Sequence, residues 1–207
     1  MSVCPLSFKS AFLILLMTAC AHGQPAQRVP APVAPSTSEL PVARWDHQPQ
    51  AQTWTRAALD ALDGPAAPLV SAVPGDIGTW CPGYPTASED DRKAFWVGLV
   101  STLAKHESTW RPAVAGGDGR WHGLLQISPA TARGYGCSAA DPTALKDGGL
   151  NLRCGLRILA STVRRDGVIA EGGRGAAADW GPFVQSAKRA DMIAWTRAQP
   201  YCQAEPT

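Results

Sequence analysis

The chain has 207 residues and a formal net charge of +2; 45% of its residues are hydrophobic and 17% charged. That length holds one domain or two. The near balance of charge, with no basic cluster, argues against nucleic acid as a partner, and four scattered histidines without a CxxC pair give no reason to expect a zinc or other metal centre.

Residues 1–19 read as a secretory signal peptide. The apolar run from Ala11 to Met17 follows Lys9 and is too short to span a bilayer. It ends in Met17-Thr18-Ala19-Cys20, which resembles the lipobox of bacterial lipoproteins, so Cys20 is expected to carry lipid and bind the membrane. Ala21 is not an aspartate, and the expected place is therefore the periplasmic side of the outer membrane; a soluble periplasmic or secreted protein is the alternative. Residues 20–52 are rich in Pro, Ala and Gln and poor in aliphatic side chains, as a tether would be. Residues 53–76 read as a linker with one short helix, Thr53 to Asp63, followed by turns. The compact domain is expected over 77–203.

Within it, Ser88 is an N-cap and Glu89, Asp90 and Asp91 suit the first turn of a long helix. Trp96, Val100, Leu103 and Glu107 recur at helical spacing, so Glu107 ends an apolar stripe and is expected to be partly desolvated, with a raised pKa. Pro112 stops the helix and Ala115 to Gly119 is a loop. Ser128-Pro129 and Asp141-Pro142 are helix starts. Asp147 to Asp166 forms a second long helix with Leu152, Leu156, Leu159 and Val163 inward and Gly167 as its stop. Pro182 to Gln199 reads as a last helix, with Phe183, Ala187, Ala190 and Ala194 inward. No strand alternation appears, so the fold class is mainly α.

Of six cysteines, Cys4 falls in the signal and Cys20 would be lipidated. Cys81, Cys137, Cys154 and Cys202 remain, an even number suited to an oxidising compartment. Three pairings exist; the favoured one joins Cys81–Cys202, the start and end of the domain, and Cys137–Cys154 across a local loop.

Glu107-Ser108, Trp110-Arg111-Pro112, Gly123-Leu124-Leu125-Gln126-Ile127-Ser128-Pro129-Ala130-Thr131-Ala132 and Asn151-Leu152-Arg153-Cys154-Gly155 occur in that order. Together they resemble the transglycosylase SLT family. The resemblance implies a lysozyme-like fold acting on peptidoglycan glycan strands, with no cofactor. It implies a lytic transglycosylase that cuts the MurNAc–GlcNAc β-1,4 bond and closes a 1,6-anhydro ring, with Glu107 as general acid and then base. By the same resemblance Ser108 orients Glu107 or the substrate acetamido group, Gln126 binds substrate, Gly123 allows close backbone approach to a sugar, and Asn151 supports the cleft. Trp121, Trp110 and Trp180 are candidates to stack on sugars.

Two departures matter. The family tyrosine aligns with Ala178 and its asparagine with Asp179, so Tyr135, Tyr201 or Asp179 is the expected substitute. The loop from Gly117 to Gly123 resembles that of goose-type lysozymes, which makes Asp118 an auxiliary candidate and a muramidase (hydrolase) the alternative. A non-catalytic peptidoglycan-binding scaffold is the alternative outside enzymes.

Overall fold

The structure, a computed structural model, describes residues 40–203. The expected signal segment, Cys20 as the expected lipidation site and most of the expected tether lie outside the described residues.

The fold is built around one helix. After α1 (Ala51–Leu62), α2 (Ala67–Ser71) and α3 (Ile77–Trp80) comes α4, Glu89–Ser108. Ser88 caps it as expected: its Oγ accepts the Asp91 N–H at 3.1 Å. Every residue from Ala94 to Ala104 is buried, so the helix is enclosed all round and not only along the Trp96–Val100–Leu103 stripe. Each aliphatic side chain so enclosed contributes about 1.5–3 kcal/mol. The polar atoms inside are matched. Trp96 Nε1 donates to the Tyr84 hydroxyl at 2.9 Å, and that hydroxyl donates to the Leu69 carbonyl at 3.0 Å.

Gly98 lies mid-helix, where glycine costs about 1 kcal/mol against alanine. The reason is packing: the ring and hydroxyl of Tyr201 lie where a Cβ would be. Tyr201 Oη in turn donates to the Val42 carbonyl at 3.2 Å.

A two-residue hairpin follows: β1 (Ala115–Gly116) pairs antiparallel with β2 (Trp121–His122). It was not expected from the sequence, because two residues per strand cannot show alternation. Then come α5 (Pro129–Gly134), capped by Ser128 Oγ accepting the Thr131 N–H at 3.0 Å, and α6 (Gly148–Asp166). The α6 helix starts at the Asp147 cap, stops at Gly167 with φ +71°, and buries Leu152, Leu156, Leu159 and Val163. The Asp141-Pro142 start gives only a 3-10 turn, Ala144–Lys146. Both disulfides, Cys81–Cys202 and Cys137–Cys154, are formed.

Two expectations are corrected. The compact domain does not begin near residue 77. Trp45 and Trp54 are buried, their rings edge to face at 5.8 Å, and Trp45 Nε1 donates to Thr55 Oγ1 at 2.9 Å. Residues 40–76, read as tether end and linker, therefore belong to the same core. The last helix, α7 (Ser186–Arg197), turns the other way: Ala187, Ala190 and Ala194 are exposed, while Met192 and Thr196 are buried. Its inward side also holds Asp191, whose ion pairs decide the orientation.

Candidate active site

Glu107 stands in the last turn of α4, and the chain after it is wound unusually. Thr109 and Trp110 both have positive φ, +52° and +55°. A left-handed non-glycine residue costs about 1–2 kcal/mol, so two in succession must be held in place. They are: Thr109 N–H bonds the Lys105 carbonyl at 3.2 Å, Trp110 N–H the Ala104 carbonyl at 3.3 Å, and the Trp110 indole the Ser101 carbonyl at 2.9 Å. The other non-glycine residues with positive φ among those described are Asp118 and Gln126. All four lie between Glu107 and the end of the glycine turn, and clustered backbone strain of this kind marks functional sites. Sequence reading missed it, since nothing in Thr-Trp favours the left-handed region.

The Glu107 carboxyl is half-buried. Burial pushes its pKa from 4.5 up to about 7, and the Lys188 charge pulls back in the other direction. A carboxyl so placed is still largely protonated just below neutrality and is matched to general acid work there.

The neighbouring turn is held by α7. Asp191 accepts a two-pronged bond from the Arg44 guanidinium at 2.6 and 2.9 Å, one from Lys105 Nζ at 3.2 Å, and lies 2.7 Å from His106 Nε2. These groups hold the Asp191 carboxyl well below the usual range, with Arg44 first. Burial lowers the His106 pKa against the pull of Asp191. Asp191, Arg44 and Lys188 were not singled out in the sequence; they come from segments distant from the motif.

The remaining expected residues divide. Ser108 is buried and serves the turn: its Oγ donates to the Ala104 carbonyl at 3.2 Å and accepts the Arg111 N–H at 3.2 Å. Asn151 is fully buried and its amide brackets the glycine turn. Oδ1 accepts the Leu125 N–H at 2.8 Å, and Nδ2 donates to the carbonyls of His122 at 3.0 Å and Leu145 at 2.9 Å. Gly123, at φ +81°, is glycine because Asn151 and the Leu145 carbonyl occupy its Cβ direction, so a close approach to protein already requires it. Both residues build the cleft from behind.

Gln126 projects from this turn. Its Nε2 donates to the Gly123 carbonyl at 2.8 Å and sits 3.4 Å from that of Val114, tying the hairpin base together. It lines a small cavity of about 50 Å³ with Trp121, Ser128, Thr131, Asp179 and Trp180. Trp121 is 42% exposed, with the Arg120 guanidinium 4.8 Å over its ring and the Gly117 backbone beneath it. It is the open aromatic face of the site. Trp180 is not one: it is buried, its indole bonded to the Leu125 carbonyl at 2.9 Å. Trp110 is half-buried against the edge of His47.

Of the substitutes for the family tyrosine, Tyr201 is ruled out by its burial against Gly98, nine residues or about 14 Å of helix from Glu107. Tyr135 Oη lies 3.5 Å from Asp179, whose pKa is moved up mainly by burial. Asp118 sits exposed at the hairpin tip with φ +55°. A larger cavity, about 880 Å³, lies on α1, α2 and the start of α4, lined by Asp63, Val70, Glu89, Arg92 and Arg164. It is at the far end of α4 from Glu107 and holds none of the motif. Among the described residues no group of three or more His, Cys, Asp or Glu could hold a metal.

The comparisons agree with this geometry. The family described as transglycosylase SLT domain matches residues 85–170. No curated protein matches the sequence. Solved structures of DslA are similar to it. The wild-type protein in its second form has a TM-score of 0.72, and two variants, each with one glutamate changed to glutamine, have 0.73. Each is 28% identical and covers 80% of this chain and all of its own. Residues 85–170, which carry Glu107 at a helix end and the glycine turn held by a buried asparagine, match the transglycosylase SLT domain family, and this similarity supports a general transglycosylase or lysozyme-like function.

Proposed function

We propose that the protein is a peptidoglycan lytic transglycosylase that breaks the MurNAc–GlcNAc β-1,4 bond and leaves a 1,6-anhydroMurNAc end. The observation that carries this is the solitary state of Glu107. Its pKa is governed by burial and by Lys188, with no carboxylate contributing. A retaining hydrolase needs a second carboxylate about 5–5.5 Å away, which would raise the acid further by like-charge repulsion. A single acid suffices if the substrate supplies the rest. Glu107 protonates the oxygen of the departing GlcNAc as the C1–O bond breaks. The muramyl C6 hydroxyl then attacks C1, and ionised Glu107 takes its proton, which restores the starting state. Trp121 offers a face for a sugar ring and Gln126 an amide at the cleft.

One observation favours a muramidase instead. The two glutamates changed in the DslA variants are eleven residues apart in that protein. Glu107 and Asp118 have the same spacing here, and among the described residues Asp118 has no ion pair. In that reading Asp118 positions water. Mass spectrometry of the fragments released from purified sacculi separates the two: anhydro ends support the transglycosylase, reducing ends the hydrolase. Binding without release would mean a scaffold, which the retained Glu107 argues against. We also propose lipid anchoring through Cys20 at the periplasmic face of the outer membrane; recovery of the protein in soluble fractions without acyl label would refute it.

A further inference from the structure

The charged groups around the Glu107 turn come from a few elements. Its own helix gives Lys105 and His106, and the turn itself gives Arg111, whose Nε donates to the Ser108 carbonyl at 3.0 Å. The α7 helix gives Lys188 and Asp191, the segment before α1 gives Arg44 and His47, and the hairpin carries Asp118 and Arg120. Arg44, Lys105 and His106 all converge on Asp191. Lys188 takes no part: among the described residues it has no carboxylate within 4.0 Å, and Glu107 has no basic group within that distance. Yet the two are held near one another. Lys188 is three residues before Asp191, on the same side of α7. Asp191 grips Lys105 and His106, the residues immediately ahead of Glu107. A half-buried cation and a half-buried acid are thus placed at one helix junction without an ion pair between them.

We propose that Lys188 is the electrostatic partner of Glu107, kept out of contact while the acid holds its proton and compensating the charge that appears when the proton leaves. The distance is the point. A cation in direct contact would favour the ionised carboxylate in the resting enzyme, since an opposite charge stabilises the charged form. With no cation, the conjugate base would be stranded in a desolvated site. An acid that must be neutral before the step and anionic after it is served best by a charge between these limits. The opposing effects of burial and Lys188 on the Glu107 carboxyl are consistent with that balance.

The inference rests on Glu107 being the general acid. It is tested in the full chain with Lys188→Met, and with Lys188→Arg to keep the charge. Two readouts are taken: the pH dependence of fragment release from sacculi, and a ¹³C carboxyl NMR titration of Glu107. Lys188→Met should move both the basic limb of activity and the Glu107 midpoint up by roughly 0.5–1 pH unit, and lower the plateau rate roughly three- to tenfold. Lys188→Arg should restore all three. A folded Lys188→Met protein, with unchanged melting temperature and neither limb nor midpoint moved, overturns the proposal. If that variant does not fold, Lys188→Gln carries the same test. Failure of the underlying reading looks different: Glu107→Gln stays active, while the Glu107 midpoint still moves between the wild type and Lys188→Met.

Discussion

Changing Glu107 to glutamine should make the protein more stable above neutral pH while abolishing release of wall fragments. The carboxyl has a pKa of about 7 in the folded protein against 4.5 in the free chain. A raised folded-state pKa gives stability that is fully present below about pH 4.5. It is lost as the pH rises towards about 7, because the unfolded chain ionises first and the native state resists. The difference of about 2.5 units corresponds to about 3 kcal/mol, trimmed somewhat by water at the exposed edge of the carboxyl. Glutamine has the same shape and never ionises. Glu107→Gln and the wild type should therefore have the same urea midpoint near about pH 4, while at about pH 8.5 the variant should be the more stable by about 2–3 kcal/mol. Fragment release from sacculi should fall to background at every pH. Parallel stability curves for the two proteins across this range would mean that Glu107 is not desolvated, and the case for its acid role would go with them.

Asn151→Ala leaves the buried Leu125 N–H and the Leu145 carbonyl without partners, while the His122 carbonyl keeps its bond from the Ile127 N–H. At about 1–3 kcal/mol for each orphaned group, less some relaxation, urea denaturation should show a loss of about 2–4 kcal/mol; a loss under about 1 kcal/mol would show that the turn does not depend on it. Gly98→Ala should destabilise by about 1–3 kcal/mol despite the better helix propensity of alanine, because the Tyr201 ring must move; thermal melting reads this, and a rise in melting temperature would contradict the packing. Trp121→Ala should raise KM for glycan strands about fivefold, equivalent to about 1 kcal/mol of stacking, with the melting temperature unchanged. Equal KM values would remove Trp121 from the binding face.

What the sequence disclosed was local. Ser88, the acidic first turn and the apolar stripe defined α4 and put Glu107 at its end, and the ordered motif named its surroundings. Both disulfides followed from the cysteine positions. What it hid was non-local. Residues 40–50 look like tether because their composition is poor in aliphatics, yet Trp45 and the Arg44–Asp191 pair seat them in the fold, the latter across 147 residues. The α7 alanines suggested an inward face, but the helix is oriented by Asp191 and Met192. The constraint on Gly123 was hidden for the same reason: it is set by Asn151, whose position behind the turn no spacing rule reveals.

The latch formed by Tyr201 and Cys202 also sets the order of folding. Tyr201 fits into the Gly98 gap and bonds Val42, 159 residues earlier, and Cys202 closes on Cys81, 121 residues earlier. The last residues of the domain are thus needed to complete the seat of the first. A nascent chain missing its final stretch has an open groove along α4 and an unpaired Cys81, and such long-range closures are slow to form. The Tyr201 contacts form only after the whole length of the domain has been made, and the Cys81–Cys202 bond only where thiols can be oxidised. Under the lipid anchoring proposed above, this arrangement keeps the chain from locking into its final shape before it has crossed the membrane.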